Sequence, residues 1–79
     1  MKNIVKNFVE IEISDMEGRR YEWVTAKRTY EEEVKALDNW TRAVRVVEKT
    51  FNPETFKITE REIKRTERNW KGEVKEIVR

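Results

Sequence analysis

The sequence predicts an α+β domain with the element order ββαββ: a four-stranded antiparallel sheet with one helix packed on a face, followed by a short C-terminal element. Three features predict it: an alternating apolar segment near the start, a helix-capping motif at Thr29, and a β-branched segment that meets a turn at Pro53. With 79 residues the chain is too short for two independent cores, so residues 1–79 form a single small domain.

The first predicted strand covers residues 5–13, where apolar side chains fall on odd positions and charged ones lie between them. A period of two is typical of a strand with one buried face. Residues 15–18 follow as a turn, in which a left-handed Gly18 closes a three-residue hairpin loop with a bulge. The register of this hairpin places Ile13 opposite Tyr21, Ile11 opposite Trp23 and Val9 opposite Thr25.

The helix is predicted from Thr29 and Glu32, which form a capping box. In such a box the Thr hydroxyl accepts a free backbone N–H and the Glu carboxylate reaches back. The helix therefore begins at Tyr30, and Val34 and Leu37 continue its apolar face at helical spacing, with Trp40 alongside.

Two continuations are open for residues 42–51. The helix could run on to Phe51, since Val44, Val47 and Phe51 keep helical spacing. It could instead end near Trp40, and residues 42–51 then form a strand. The second is favoured, because β-branched residues prefer strands and Pro53 suits a tight turn. That turn pairs Phe51 with Phe56, Val44 with Ile63 and Arg45 with Glu62.

The pattern is weaker after Ile58. Residues 59–62 either open a second helix through another capping box or belong to a strand with one solvated face. Gly72 indicates a break, and residues 73–79 form a short amphipathic tail with Val74, Ile77 and Val78 on one helical face.

Composition excludes several kinds of chemistry. The chain contains no Cys and no His, so it lacks disulfides, thiolate ligands and the commonest general base. Ser14 has no plausible base, and two isolated glycines cannot form a phosphate-binding loop. We expect no enzyme activity, no cofactor and no metal site. No apolar run approaches the roughly 18 residues of a membrane helix, so we expect no membrane partner and a cytoplasmic location.

Charge is distributed unevenly. Residues 1–41 carry 7 basic and 9 acidic side chains, a net −2, and residues 42–79 carry 11 basic and 7 acidic, a net +4. Basic groups with an aromatic among them can bind phosphates and stack a base, although interleaved acids also indicate a solvated, salt-bridged surface. The candidate nucleic-acid or partner contacts are Arg61, Lys64, Arg65, Arg68, Trp70 and Lys71.

The sequence thus favours a non-enzymatic binding module that acts through protein–protein contacts, including a homo-oligomer of its own. Trp70, Val74 and Ile77 motivate this, because so short a chain cannot bury all its large apolar residues. Nucleic-acid binding through the basic C-terminal half is the alternative. In size and charge the chain resembles short accessory reading frames of phages and mobile elements.

Overall fold

The fold is one antiparallel sheet of five strands with a short helix, as seen in a computed structural model that describes residues 2–15, 17–38 and 41–79. The strands lie side by side in the order β2-β1-β3-β4-β5. The elements are β1 (Ile4–Ser14), β2 (Tyr21–Thr25), α1 (Tyr30–Lys35), β3 (Thr41–Asn52), β4 (Lys57–Arg68) and β5 (Val74–Val78). The predicted α+β fold with the order ββαββ is therefore wrong: the protein is mostly sheet with one short helix, because the C-terminal segment is a fifth strand.

The turn between β4 and β5 explains this correction. The side-chain oxygen of Asn69 accepts hydrogen bonds from the backbone N–H groups of Lys71 and Glu73, both at 2.9 Å. Gly72 adopts a φ of 86°, which lets the chain reverse within the five residues between β4 and β5. The segment that follows pairs with β4, so Ile77 lies on the opposite sheet face from Val74 and Val78. The predicted helical face of this tail is wrong.

The register of the first hairpin also differs from the prediction. Gly18 has a φ of 70° and is left-handed, as predicted. However, the side chain of Asp15 accepts hydrogen bonds from the N–H groups of Glu17 and Arg19, and this supports a loop one residue longer. Strand pairing shifts by one position, which moves Tyr21 and Trp23 to the other face from Ile11 and Ile13. The observed pairs are Ser14 with Tyr21, Glu12 with Trp23 and Glu10 with Thr25.

The strand alternative for residues 42–51 is confirmed, and the long helix is wrong. The predicted pairing of Phe51 with Phe56 is also wrong, because the loop consists of residues 53–56, with Phe56 in the left-handed region at φ 58°. Phe51 instead pairs with Ile58. A bulge at Ile63 shifts the register once more, so that Val44 pairs with Thr66 and Arg45 with Arg65.

The helix begins as predicted. The Thr29 hydroxyl accepts a hydrogen bond from the backbone N–H of Glu32. The helix is shorter than predicted, because it ends at Lys35 and β3 already starts at Thr41. Thr41 donates its N–H to the Asp38 carboxylate at 2.8 Å, which fixes the start of that strand. Trp40, predicted to lie alongside the apolar face of the helix, is outside the described residues.

The helix divides the sheet into two unlike faces. On the face that α1 covers, here called the helix face, Val44 is fully buried and Tyr30 reaches across to Thr66. Residues that face each other on paired strands point to the same side. The other side, here called the open face, therefore carries Glu10, Trp23 and Arg45.

The sheet is wide at one end and narrow at the other. β1 has 11 residues and β3 and β4 have 12, whereas the flanking strands β2 and β5 have only 5 each. Both short strands lie beside the end that contains Ser14 and Arg68, here called the wide end. The narrow end, around Ile4, Phe51 and Ile58, is therefore three strands across. The molecule is elongated accordingly, with extents of 47 × 25 × 20 Å.

Candidate functional site

The six basic and aromatic residues singled out from the sequence do not form one surface. They lie along β4 and the turn that follows it, and the alternation of a strand sends neighbours to opposite faces. The structure places them in three environments: the helix face for Arg61 and Lys64, the open face for Arg65, and the wide end for Arg68, Trp70 and Lys71.

Arg61 and Lys64 are occupied by neighbours within the chain. Nη2 of Arg61 lies 3.4 Å from the Glu48 carboxylate on the adjacent strand. The ammonium group of Lys64 lies 4.3 Å from the centre of the Tyr30 ring, beside the helix. Both cations therefore have partners within the chain, of which the exposed Arg61–Glu48 pair is weak.

Arg65 belongs to a network of charges and aromatic rings on the open face. The guanidinium of Arg65 lies 5.1 Å from the centre of a Trp23 ring. The guanidinium of Arg45 lies 3.9 Å from the centre of a ring of the same tryptophan. Arg65 also donates hydrogen bonds to Glu62 at 2.6 Å and to Glu67 at 2.9 Å. These groups neutralise one another, so this part of the sheet is a structural surface.

The pKa values of this network follow from its geometry. Burial alone would raise the pKa of the Glu62 carboxyl, but hydrogen bonds from Arg65 and Arg79 outweigh it and lower that pKa. Burial likewise opposes the charged form of Arg65, while Glu67 and Glu62 raise the pKa of its guanidinium. Both groups are held in their charged forms.

Glu10 is the most buried acid of the open face, with 7% of its surface exposed. Its carboxylate lies 2.7 Å from Nη2 of Arg45 and 3.7 Å from Nζ of Lys49. A buried carboxylate with two basic neighbours is compensated, so it is not a candidate general base.

The remaining predicted residues border a cleft at the wide end. The cleft has a volume of about 450 Å³ and opens between Asp38, the start of β3 and the β4–β5 turn. Arg68 and Trp70 line it, and Lys71 lies next to Trp70. Asn69, between Arg68 and Trp70 in the sequence, also lines the cleft. The sequence pattern could not reveal the remaining lining residues, because they come from distant segments: Tyr21, Asp38 and Arg42.

A second exposed feature lies at the narrow end. On the open face Ile4, Phe51 and Ile58 form one row across β1, β3 and β4, and the Phe56 ring lies 6.3 Å from the Phe51 ring. These four residues are called the apolar tip below. Phe56 is 79% exposed, Ile58 64% and Ile4 50%. The sequence pattern did not reveal this patch, because the predicted register paired Phe51 with Phe56 and so did not bring Phe51 beside Ile58.

Two other kinds of site are not found among the described residues. No group of three or more acidic residues in the described ranges is arranged to hold a metal ion. Within the same ranges, no helix has the length and apolar character needed to cross a membrane.

Comparison with known proteins found no matching family model, no matching curated protein and no matching solved structure.

Proposed function

We propose that this protein is a non-enzymatic binding module that self-associates through its apolar tip. The observation that carries the proposal is the exposure of large apolar side chains in one row of an uncovered sheet end. Apolar side chains grouped in this way are characteristic of interaction sites on folded proteins. The lack of Cys suits a reducing compartment, and the cytoplasm is part of the proposal.

The pattern of the tip favours a second copy of the chain as the partner. The row reads Ile4, Phe51 and Ile58 across the three strands, so it is symmetric about β3. If two open faces stack about a two-fold axis parallel to β3, each Phe51 faces the Phe51 of the second copy. Each Ile4 then faces the Ile58 of the second copy, so all three apolar residues of the row are paired.

The charged residues in the neighbouring row of the open face are also consistent with this two-fold axis. Lys6 lies on β1 and Glu60 on β4, at opposite edges of the row that also contains Lys49. The two-fold axis brings each Lys6 to the Glu60 of the second copy, an attractive pair. Lys49 does not oppose this, because its ammonium group is drawn towards Glu10, at 3.7 Å, and the ring of Phe8, at 5.1 Å.

The contact is confined to the narrow end. Stacked sheets cross at about 30°, so the wide ends of the two copies diverge. Because stable interfaces bury about 800 Å² per partner and the tip offers only part of that, we expect a weak, micromolar dimer. Charged side chains at both edges of the narrow end, among them Lys6 on β1 and Lys57 on β4, disfavour open-ended strand pairing.

Sedimentation equilibrium over roughly 10 to 500 µM tests the proposal. We expect a reversible monomer–dimer equilibrium, weakened at least about tenfold by Phe56→Ser or Ile58→Ser. Val74→Ser is the matched control, because Val74 is an exposed apolar residue of the wide end. Circular dichroism of each variant confirms that the fold is kept. A chain that stays monomeric over the whole range would contradict the proposal.

A charge exchange tests the two-fold axis itself. Lys6→Glu and Glu60→Lys should each weaken the dimer, because each places like charges together across the interface. The double variant Lys6→Glu/Glu60→Lys restores an opposite pair and should recover most of the lost affinity. If the double variant dimerises more weakly than both single variants, the two copies do not meet in this arrangement.

Nucleic-acid binding along the whole basic stretch of β4 receives less support from the geometry. Arg61, Lys64 and Arg65 already have partners within the chain and lie on two faces of the sheet. Arg68, Trp70 and Lys71 lie apart from these residues, grouped together at the wide end.

A further inference from the structure

The cleft at the wide end combines two guanidinium groups with two aromatic rings. Arg42 and Tyr21 come from β3 and β2, whereas Arg68 and Trp70 come from β4 and the turn after it. Asp38 and Asn69 complete the lining. A volume of about 450 Å³ lies within the range of roughly 300 to 1,000 Å³ typical of small-ligand sites.

Trp70 is presented by a well-defined turn. Asn69 holds this turn through two side-chain hydrogen bonds, and its backbone carbonyl accepts a third from the N–H of Gly72 at 2.9 Å. Trp70 follows directly and is 87% exposed, the most exposed large apolar residue of the described chain. The ammonium group of Lys71 lies 5.3 Å from the centre of the indole. An aromatic surface held outward beside a cation provides a platform for stacking a base.

Arg42 owes its position to a bulge in β3. Thr41 pairs with Ile13 and Ala43 with Glu12, so Arg42 is the extra residue between them. Its guanidinium lies 4.8 Å from the centre of the Tyr21 ring, and its Nε lies 3.6 Å from the Glu12 carboxylate. The side chain is still half exposed, so Nη groups remain able to contact a ligand in the cleft.

From this arrangement we propose that the cleft binds one nucleotide unit of a single-stranded nucleic acid. The base stacks on Trp70, and the adjoining phosphate lies between Arg42 and Arg68, which present planar donors suited to phosphate oxygens. A base held in a duplex cannot stack on a lone indole, so the ligand is single-stranded. The Asp38 carboxylate accepts the N–H of Thr41 and opposes an anion beside it, so we place the phosphate on the side of the two arginines.

The proposal goes beyond self-association and uses the opposite end of the sheet. The two ends can therefore be tested separately, since Trp70→Ala should leave the monomer–dimer equilibrium unchanged. Likewise, Phe56→Ala should leave nucleotide binding unchanged.

Fluorescence anisotropy with a labelled single-stranded oligonucleotide of about six nucleotides, at about 50 mM and 200 mM salt, tests the cleft. We expect binding that weakens with salt. Trp70→Ala should reduce affinity at least about fivefold, and Phe56→Ala, an aromatic of similar exposure at the other end, should not. Arg42→Gln and Arg68→Gln should each reduce the affinity at least about fivefold and make it less dependent on salt. Arg61→Gln is the control with the same change of charge, and it should change the affinity less than about twofold.

Three outcomes would overturn the proposal. One is no binding tighter than about 100 µM at the lower salt concentration. Another is an equal loss for Arg61→Gln and Arg42→Gln, which would indicate only general charge attraction. The third is equal binding of a mononucleotide, or of a duplex of the same length, and of the single strand. We expect both of these ligands to bind more weakly than the single strand, and equal binding of either would contradict the single-stranded assignment.

Discussion

The Tyr30 hydroxyl and the Thr66 hydroxyl are hydrogen-bonded to each other beneath the helix, joining α1 to β4. Both residues are buried, with Tyr30 8% and Thr66 3% exposed. The helix has only six residues, too few to be stable by itself, so its contacts with the sheet hold it in place. This bond is therefore a principal link between the two layers.

Removal of either hydroxyl should destabilise the protein. Tyr30→Phe or Thr66→Val leaves the other hydroxyl buried without its partner, and each should lower the free energy of unfolding by about 1 to 3 kcal/mol. The double variant removes both polar groups and should cost less than the sum of the single changes. Urea unfolding of the four proteins measures this coupling, and strictly additive losses would contradict it.

Tyr30 also gives the protein a stability limit at alkaline pH. Burial raises the pKa of its phenol above the ordinary value of 10.0, the Thr66 hydrogen bond opposes this, and Glu76 and Glu31 add to the rise. The folded state therefore favours the neutral phenol. This stabilisation is complete below pH 10 and is lost as the pH rises through the folded-state value. Unfolding measured between pH 8 and 12 should show a loss in the native protein that is smaller in Tyr30→Phe.

Glu62 should give the opposite dependence at acid pH. Its folded-state pKa is lowered below 4.5 by Arg65 and Arg79, against the effect of burial. Its contribution to stability is present above the unfolded-state value and is lost as the pH falls through the lowered folded-state value. Glu62→Gln should therefore be less stable than the native protein at pH 7 and closer to it at pH 2 to 3 in urea unfolding. A constant difference across that range would show that Glu62 does not titrate in this way.

The Glu10–Arg45 pair should contribute far more to stability than an exposed pair. Arg45→Ala removes the closest cation from a buried carboxylate and the Trp23 ring, and should destabilise by about 2 to 4 kcal/mol. Arg61→Ala is the matched control, since it breaks an exposed pair with Glu48 on the same sheet and should cost less than about 1 kcal/mol. Equal losses in thermal unfolding would contradict the distinction.

Gly18 tests the first turn. Its φ of 70° is strained for any residue with a Cβ, although a Cβ there would meet only Ser14 Oγ at 3.8 Å, an ordinary contact. Backbone strain alone should therefore make Gly18→Val about 1 to 2 kcal/mol less stable. Gly18→Asn should be milder, because Asn tolerates this region. A valine variant that unfolds like the native protein would contradict the left-handed turn.

Local sequence signals predicted the elements better than the way they pair. The Thr29 cap, the left-handed Gly18 and the strand over residues 42–51 depend on neighbouring residues, and all three are present. The predicted strand registers were wrong because the register of a hairpin depends on the length of its loop. In the first hairpin, the hydrogen bonds that Asp15 accepts support a loop one residue longer than predicted. An error of one residue moved Trp23 to the other face of the sheet.

The candidate sites were predictable only in part for the same reason. Trp70 could be recognised as unusual from its charged surroundings, but Tyr21 and Arg42 join it through pairing of segments far apart in sequence. The apolar tip is created by a register across three strands, and no local pattern reveals it.

The position of β1 has a consequence for how the chain acquires its structure. β1 is made first, yet its pairs with β3 join residues 28 to 47 positions apart, from Ile13–Thr41 to Ile4–Phe51. The β3–β4 pairs start only five positions apart, at Asn52–Lys57, and closing so short a loop costs little entropy. Residues 10–14 of β1 also pair locally with β2, but residues 4–8 pair only with β3. We therefore expect the β3–β4 hairpin to form early and to template residues 4–8. Pulsed hydrogen exchange during refolding should then protect the amides of β3 and β4 before those of residues 4–8.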